Sequence, residues 1–417
     1  MDKDIWIPNY TDNHNELDLN SWFISNKNVN IKNNIDSTLS ETDKTLFKCK
    51  KYIIYPNEKQ REILLRWMDL YNYTYNQTIK YFRENIYINI KNSTSLINNR
   101  KNVKNMIKND KNMNFRIYES KNKIPEHTID NAINDVCKAY KSALSNLKNK
   151  NIKHFRLRYK KLHTNKKTLI FESKCFSEKY KTFSVRGLGK DKLKGVPTKI
   201  NHDCRLNYID GEFTLFVPVS INQTTRKNRS LICGLDPGIR TFQTLFSENE
   251  CVNICVNPKD TFEPLMKKID KKDGYRSIKA QNKHKKKLRK KLKNKVNDLH
   301  WKTANYLTDR YENIAIGKLS TIGIVSNKNN LHSSVKRTAY SLAHFTFRQR
   351  LQYMCNKKDV GYYEINEYMT SKTCTKCKTI NENLGSSKLF DCSKCNLKID
   401  RDYCGARNIM LKHLKLF

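Results

Sequence analysis

No apolar run in this 417-residue chain approaches the roughly 20 residues of a membrane-spanning helix. A membrane is therefore the weaker choice of partner. The start, Met1-Asp2-Lys3-Asp4, lacks a signal-peptide pattern, which leads to the expectation of an intracellular chain. Acid is also in short supply: 40 Asp plus Glu face 81 Lys plus Arg, a formal charge of +41. So large an excess repels itself unless a polyanion neutralises it. Counterion release makes nucleic acid the natural polyanion. The length accommodates two or three domains, each with its own core.

Cysteine, by contrast, is plentiful. Thirteen cysteines without a secretory signal point to a reducing compartment, and so to metal rather than disulfides. Four stand as Cys374-x-x-Cys377 and Cys392-x-x-Cys395, two knuckles separated by fourteen residues. That spacing closes a tetrahedral thiolate shell around one zinc ion. The other nine are Cys49, Cys137, Cys175, Cys204, Cys233, Cys251, Cys255, Cys355 and Cys404. Most have apolar neighbours and read as small core residues. Carboxylates flank the knuckles on both sides, which reads as an acidic site interrupted by a structural insert.

Along the chain, residues 1–44 are polar and read as a poorly ordered tail, with Trp6 and Trp22 as possible local anchors. A strand is expected over Leu46–Tyr55 and a helix from Glu58, with Ile63, Leu64, Trp67, Leu70 and Tyr71 on its apolar stripe. The stretch from Ile86 to Lys123 reads as a basic loop or short helices. A second helix follows Pro125, with Thr128 as its N-cap. From Thr168 to Val219, short alternating runs separated by glycines predict a small antiparallel β domain, a barrel to which the 46–55 strand also belongs.

Leu231–Asp236 predicts a buried strand ending on an acid, returned by a Pro-Gly turn through Thr244–Phe246, with Cys251–Val256 as a third strand. Ten of the seventeen residues from Lys279 to Lys295 are Lys or Arg and none is acidic. With Leu288, Leu292, Val296 and Leu299 they predict one long helix carrying a polyanion-binding ridge. Lys283, Lys285, Lys286, Lys287, Arg289, Lys290 and Lys291 are its candidate contacts. A nuclear-localisation signal is the other functional reading of the run. A strand over Asn313–Gly317, a helix over Ser334–Lys357 and a strand over Val360–Ile365 follow, the last delivering Glu364 and Glu367. Asp236, Glu364 or Glu367, and Asp402 then form a set of hard oxygen donors suited to magnesium or manganese, two of which can drive phosphodiester hydrolysis. The small residues after Asp402 (Cys404, Gly405, Ala406) allow a helix to pack closely on the sheet. His300, His332 and His344 fit no ligand pattern and read as core or surface residues.

These motifs resemble a known family. Gly234-Leu235-Asp236-Pro237-Gly238-Ile239-Arg240-Thr241-Phe242, the Glu367–Cys377 segment, the second knuckle and Asp400–Ile409 are similar to the TnpB transposon nucleases, and closer still to their Fanzor relatives. The Tyr52–Pro56 segment with Gln60 and Tyr75-Asn76 extends the resemblance over residues 46–417. It implies an RNA-guided DNA endonuclease with a RuvC-like (RNase H-type) α/β nuclease domain over 229–417. A zinc finger at 370–398 would interrupt that domain. It also implies a wedge β domain over 45–56 and 166–228, and a helical recognition lobe over 57–165. The implied partners are a guide RNA transcribed near the gene and double-stranded target DNA, and the implied residence is the nucleus in a eukaryotic or viral host and the cytoplasm otherwise. Asp236 matches the first catalytic acid and Asp402 the last. Gly317 occupies the usual place of the middle acid, so Glu367 becomes the first choice and Glu364 the alternative. A guide-independent transposase, a junction resolvase, and a zinc-containing binding protein without cleavage are the competing readings.

Overall fold

The computed structural model describes residues 46–86, 101, 104, 105, 109, 124, 125, 127–161, 166–224, 229–271, 274, 277–326, 331–385 and 387–417. The polar tail with its two tryptophans and most of the basic stretch at 86–123 lie outside them. The chain divides into two compact units, Phe47–Ile221 and Asn222–Phe417.

In the first unit, β1 (Leu46–Ile54) leads into α1 (Glu58–Ile86), which is 29 residues long. Asn57 starts this helix. Its Oδ1 accepts from the Gln60 amide at 2.8 Å, and Gln60 Oε1 accepts from the Asn57 amide at 3.2 Å, a reciprocal capping box. The Gln60 amide group also donates to the Asp191 carbonyl at 2.9 Å, so the buried Gln60 is fully used. One face of α1, with Leu64, Trp67 and Met68, packs against the sheet residues Leu169, Phe171, Leu206 and Leu215. A second stripe, Leu70, Ile79 and Phe82, packs against Ile129, Ile133, Val136 and Tyr140 of α2 (His127–Lys148). Each such fully buried side chain contributes about 1.5–3 kcal/mol.

Thr128 is not the cap of α2. It lies inside the helix and is buried, and its amide donates to the Pro125 carbonyl at 2.9 Å. The sheet joins β1 to β6 (Glu212–Ile221), β5 (Cys204–Ile209) and β2 (Lys166–Phe171), in that order. β1 and β2 stand at opposite ends and are not bonded to each other. Among the described residues the sheet is therefore open, where the sequence suggests a barrel. A two-residue pairing of β3 (Phe176–Ser177) with β4 (Thr182–Phe183) covers part of it.

The second unit is built on a five-stranded mixed sheet. β7 (Ser230–Pro237), β8 (Thr241–Ser247) and β9 (Cys251–Val256) run antiparallel, as a meander. β10 (Tyr311–Gly317) then pairs parallel with β7, and β11 (Gly361–Ile365) parallel with β10. Between β9 and β10 come α3 (Pro258–Asp270), which sequence patterning missed, and the 33-residue α4 (Ile278–Arg310). A short α5 (Thr321–Val325), α6 (Ser333–Leu342) and α7 (His344–Lys358) lead to β11.

The expected single helix over 334–357 is thus two. The Leu342 carbonyl, last of α6, accepts from His300 Nε2 at 2.8 Å, and Ala343 turns into the left-handed region at φ 47°. His300 and His344 are both buried and both stack on Phe242 at 5.3 Å, so the break is filled by a ring cluster. Burial holds both imidazoles neutral, with pKa values near 4. His332 instead caps α6, its Nδ1 accepting from the Ser334 amide at 3.3 Å.

Alternation along β7 sends Cys233 and Leu235 to one face of the sheet, where they meet Val296, Leu299 and Leu307 of α4 and Phe347 and Leu351 of α7. Ile232 goes to the other face, onto α8 (Arg401–His413), with Cys404, Ala406 and Met410. There the sheet has no side chain at Gly234: a Cβ would come within 2.9 Å of Met410 Cβ. The close helix packing expected after Asp402 is met from both sides. β12 (Leu389–Asp391) and β13 (Lys398–Asp400) form a hairpin next to the knuckles, and Phe390 and Ile399 join the same core.

Candidate active site and metal centre

Asp236 is the seventh residue of β7, pointing to the same face as Ile232 and Gly234. Asp402 sits in the first turn of α8, behind an Asp400 N-cap whose Oδ1 accepts from the Asp402 amide at 2.7 Å. Glu367 lies two residues beyond β11. Register explains how these meet: Ile316 of β10 is flanked by Leu235 of β7 and Glu364 of β11, so Gly317 lies level with the end of β7.

Two glycines make room for the acids. A Cβ on Gly317 would come within 2.9 Å of Glu367 Cγ and of Pro237 Cδ. The Glu367 side chain therefore fills the space that any residue larger than glycine would take. A Cβ on Gly405 would lie 2.5 Å from Asp236 Oδ2 and 3.2 Å from its Cγ. Asp236 is thus pressed onto the first turns of the helix that carries Asp402.

The electrostatics follow from this crowding. Burial, then the charges of Glu367 and Asp402, hold the Asp236 carboxyl well above the usual carboxylate range. Burial raises the Glu367 pKa to about 7, and the Arg348 guanidinium opposes it. Burial and Asp400 raise that of Asp402. Glu367 Oε1 is buried and accepts no hydrogen bond. Carboxylates, one with an unpaired buried oxygen, are donors of the kind that hard divalent cations take; among the described residues only the cysteines have their donor atoms within 4.8 Å of one another.

Glu364 is placed differently. It is exposed, accepts from the Tyr362 hydroxyl at 2.8 Å, and lies 3.5 Å from Arg348 Nε. Arg348, which the sequence reading passed over, is buried and also donates to the Leu319 carbonyl at 3.2 Å. Its charge acts on both glutamates.

The four knuckle cysteines converge, with all four Sγ atoms within 4.8 Å of one another. Cys374 and Cys395 Sγ are 3.6 Å apart, and Cys377 and Cys392 Sγ 3.5 Å. A tetrahedral zinc with bonds of about 2.3 Å separates its sulfurs by about 3.8 Å, so the set fits one such ion. The Thr379 hydroxyl, 3.2 Å from Cys377 Sγ, helps draw that thiol down to about 6. α8 clamps the first knuckle. The Arg407 Nη1 donates to the Thr375 carbonyl at 2.6 Å and also to its hydroxyl, and Asn408 Nδ2 donates to the Thr370 and Thr373 carbonyls at 2.7 and 2.8 Å.

The basic run forms the first half of α4. Lys283, Lys286, Lys287, Arg289, Lys290 and Lys291 are exposed and Lys285 is half-buried, while the residues from Val296 onward enter the core.

Residues 344–409 match the family described as "Cas12f1-like, TNB domain", and residues 48–91 match a "Helix-turn-helix domain". Within the latter span the described residues form a strand and one unbroken helix. "Putative transposase A625R" of Paramecium bursaria Chlorella virus 1 is 28% identical over 89% of this chain and 88% of its own length. The solved Cas12f1–sgRNA–target DNA complex aligns with a TM-score of 0.48 at 12% identity, covering 88% of this chain and 98% of that one. "TnpB-like protein L79" of Acanthamoeba polyphaga mimivirus is 32% identical over 98% of this chain and 86% of its own, and a second relative, L770, is 31% identical over the same share. At that identity over nearly the whole length, the chain belongs to the TnpB family.

Proposed function

We propose that this protein is an RNA-guided DNA endonuclease of a mobile element, cutting target DNA by divalent-metal-dependent phosphodiester hydrolysis. The observation that carries the proposal is the convergence of Asp236, Glu367 and Asp402, with Glu367 filling the space over Gly317. These three would hold magnesium or manganese. Metal held there would supply the chemistry of water activation and of charge stabilisation on a leaving oxygen. The sheet order, three antiparallel strands followed by two parallel ones, supports the RuvC-like, RNase H-type assignment.

In this reading the knuckle holds structural zinc, and the α4 run contacts phosphate backbones. The Phe47–Ile221 unit combines the wedge sheet and the helical lobe. Sequence specificity would come from pairing between guide and target rather than from side chains. The same basic run would serve nuclear import in a eukaryotic or viral host.

The test is cleavage of a target duplex by the full chain with RNA transcribed beside its gene. Magnesium-dependent cutting by wild type, lost in Asp236→Ala and kept in Glu364→Ala, is expected. Full activity of Asp236→Ala would remove the acid assignment. The relatives named putative transposases favour one second reading, strand excision without a guide. Cleavage of element ends by RNA-free protein would support that reading instead.

A further inference from the structure

A single stripe of α8 reaches all three acids. Residues 402, 405, 408 and 412 follow one another at three, three and four positions, so they share one helix face. Asp402 is an acid of the cluster, and Gly405 receives Asp236. Asn408 is wholly buried and donates to the Thr370 carbonyl, while the Thr370 amide and hydroxyl donate back to the Glu367 carbonyl at 3.1 and 2.9 Å. Lys412 Nζ donates to the Asn366 carbonyl at 3.2 Å and to the Tyr368 carbonyl at 2.7 Å. The ammonium thus grips the backbone on both sides of Glu367.

This grip matters because of where Glu367 stands. The segment has left β11, so no ladder fixes its direction, and its neighbours Asn366 and Tyr368 are exposed. Locally the segment is held by a turn that opens on Glu367 and by Asn366 Oδ1, which accepts from the Tyr368 amide at 2.9 Å; Lys412 anchors it from outside that turn.

We propose that Lys412, with Asn408, is a positioning residue. It fixes the backbone of residues 366–368 so that Glu367 faces Asp236 and Asp402, and so sets the affinity of the cluster for a divalent cation. This rests on the reading of those three acids as the metal site. Lys412 Nζ bonds backbone carbonyls and would act through them. Partners that orient a metal ligand typically contribute 10–100-fold in affinity.

The experiment measures Mn2+ binding to the full-length, zinc-loaded chain by electron paramagnetic resonance, beside the Mg2+ dependence of cleavage. Lys412→Met is expected to raise the Mn2+ concentration for half-saturation about tenfold. Its thermal transition should stay near wild type, and cleavage should recover at high Mg2+. Lys412→Arg, which keeps a long cationic donor, is expected to restore most of the affinity. Asp236→Ala anchors the comparison by abolishing Mn2+ binding at this site. Wild-type half-saturation in Lys412→Met, with binding lost in Asp236→Ala, would overturn the positioning role alone. Unchanged binding in Asp236→Ala would remove the metal reading and the proposal with it.

Discussion

The second unit contains two sets of ligand-type side chains, and they are assembled in opposite ways. The four thiols come from two short turns between residues 374 and 395, and each turn presents its pair by local geometry. The three carboxylates come from a strand end, a post-strand segment and a helix start, at 236, 367 and 402, and meet only because the sheet and α8 bring them together. The first set is soft and comes from one short segment braced by α8, the second hard and drawn from across the unit. Damage to the thiols should therefore appear first as lost stability, and damage to the acids first as lost chemistry.

The largest expected effect follows from breaking the soft set. Cys392→Ser, or stripping the ion with a thiophilic chelator, should cost more than about 4 kcal/mol, since loss of a structural metal is among the severe classes of change. A lowered thermal transition and rapid proteolysis within residues 370–400 would show it. Magnesium chelators should leave that transition in place while stopping cleavage reversibly.

Gly317→Ala probes the hard set. The new methyl would collide with Glu367 Cγ and Pro237 Cδ and push the carboxylate outward. A displacement near 1 Å costs about 100-fold in rate, and single-turnover cleavage should show that loss with the thermal transition lowered by no more than overpacking demands, about 1–3 kcal/mol.

Glu367→Gln separates stability from chemistry. Folding raises the pKa of Glu367 from 4.5 to about 7, so the folded state holds its proton longer than the unfolded state does. That group favours the native state least once pH has risen through about 7, and its penalty vanishes below about 4.5. In metal-free protein the glutamine should therefore stabilise at pH 8 by at most about 3 kcal/mol, and not at all near pH 4. Thermal melts across that window check the sign, and cleavage by the variant should be lost throughout.

The smallest effect belongs to Glu364→Ala. It removes one exposed partner of Arg348, an interaction worth about 0–1 kcal/mol, and should leave cleavage within about threefold. A loss equal to that of Glu367→Gln would erase the distinction between the two glutamates.

Much of this contrast was legible in the sequence because the knuckles and Asp236 advertise themselves locally. A C-x-x-C pair needs only its own turn, and an acid ending a buried run needs only its strand. The choice between Glu364 and Glu367 was not legible from periodicity. Strand alternation ends at Ile365, and the backbone around Glu367 is bonded by Lys412 and Asn408, more than 40 residues away. The same holds for the break at Ala343, where the amphipathic pattern runs on but the Leu342 carbonyl is captured by His300 from α4. In the first unit the stripes of α1 were readable, yet not that one of them would cover the sheet and the other α2. Patterning shows which face of a helix is apolar and is silent on what meets it.

The long helix α4 has a further consequence. Its second half is locked in the core through Val296, Leu299 and Leu307, and ahead of it ten cations, most of them exposed, span about five turns. A free peptide of that composition would be torn between coil and helix by its own repulsion. Here the buried half supplies the nucleus from which the charged half propagates. The cations are therefore already spaced before any partner arrives, and little backbone freedom remains to be lost on binding. Encounter with a polyanion should be fast and strongly dependent on ionic strength, as for a rigid rod meeting its counter-charge rather than a chain folding around it.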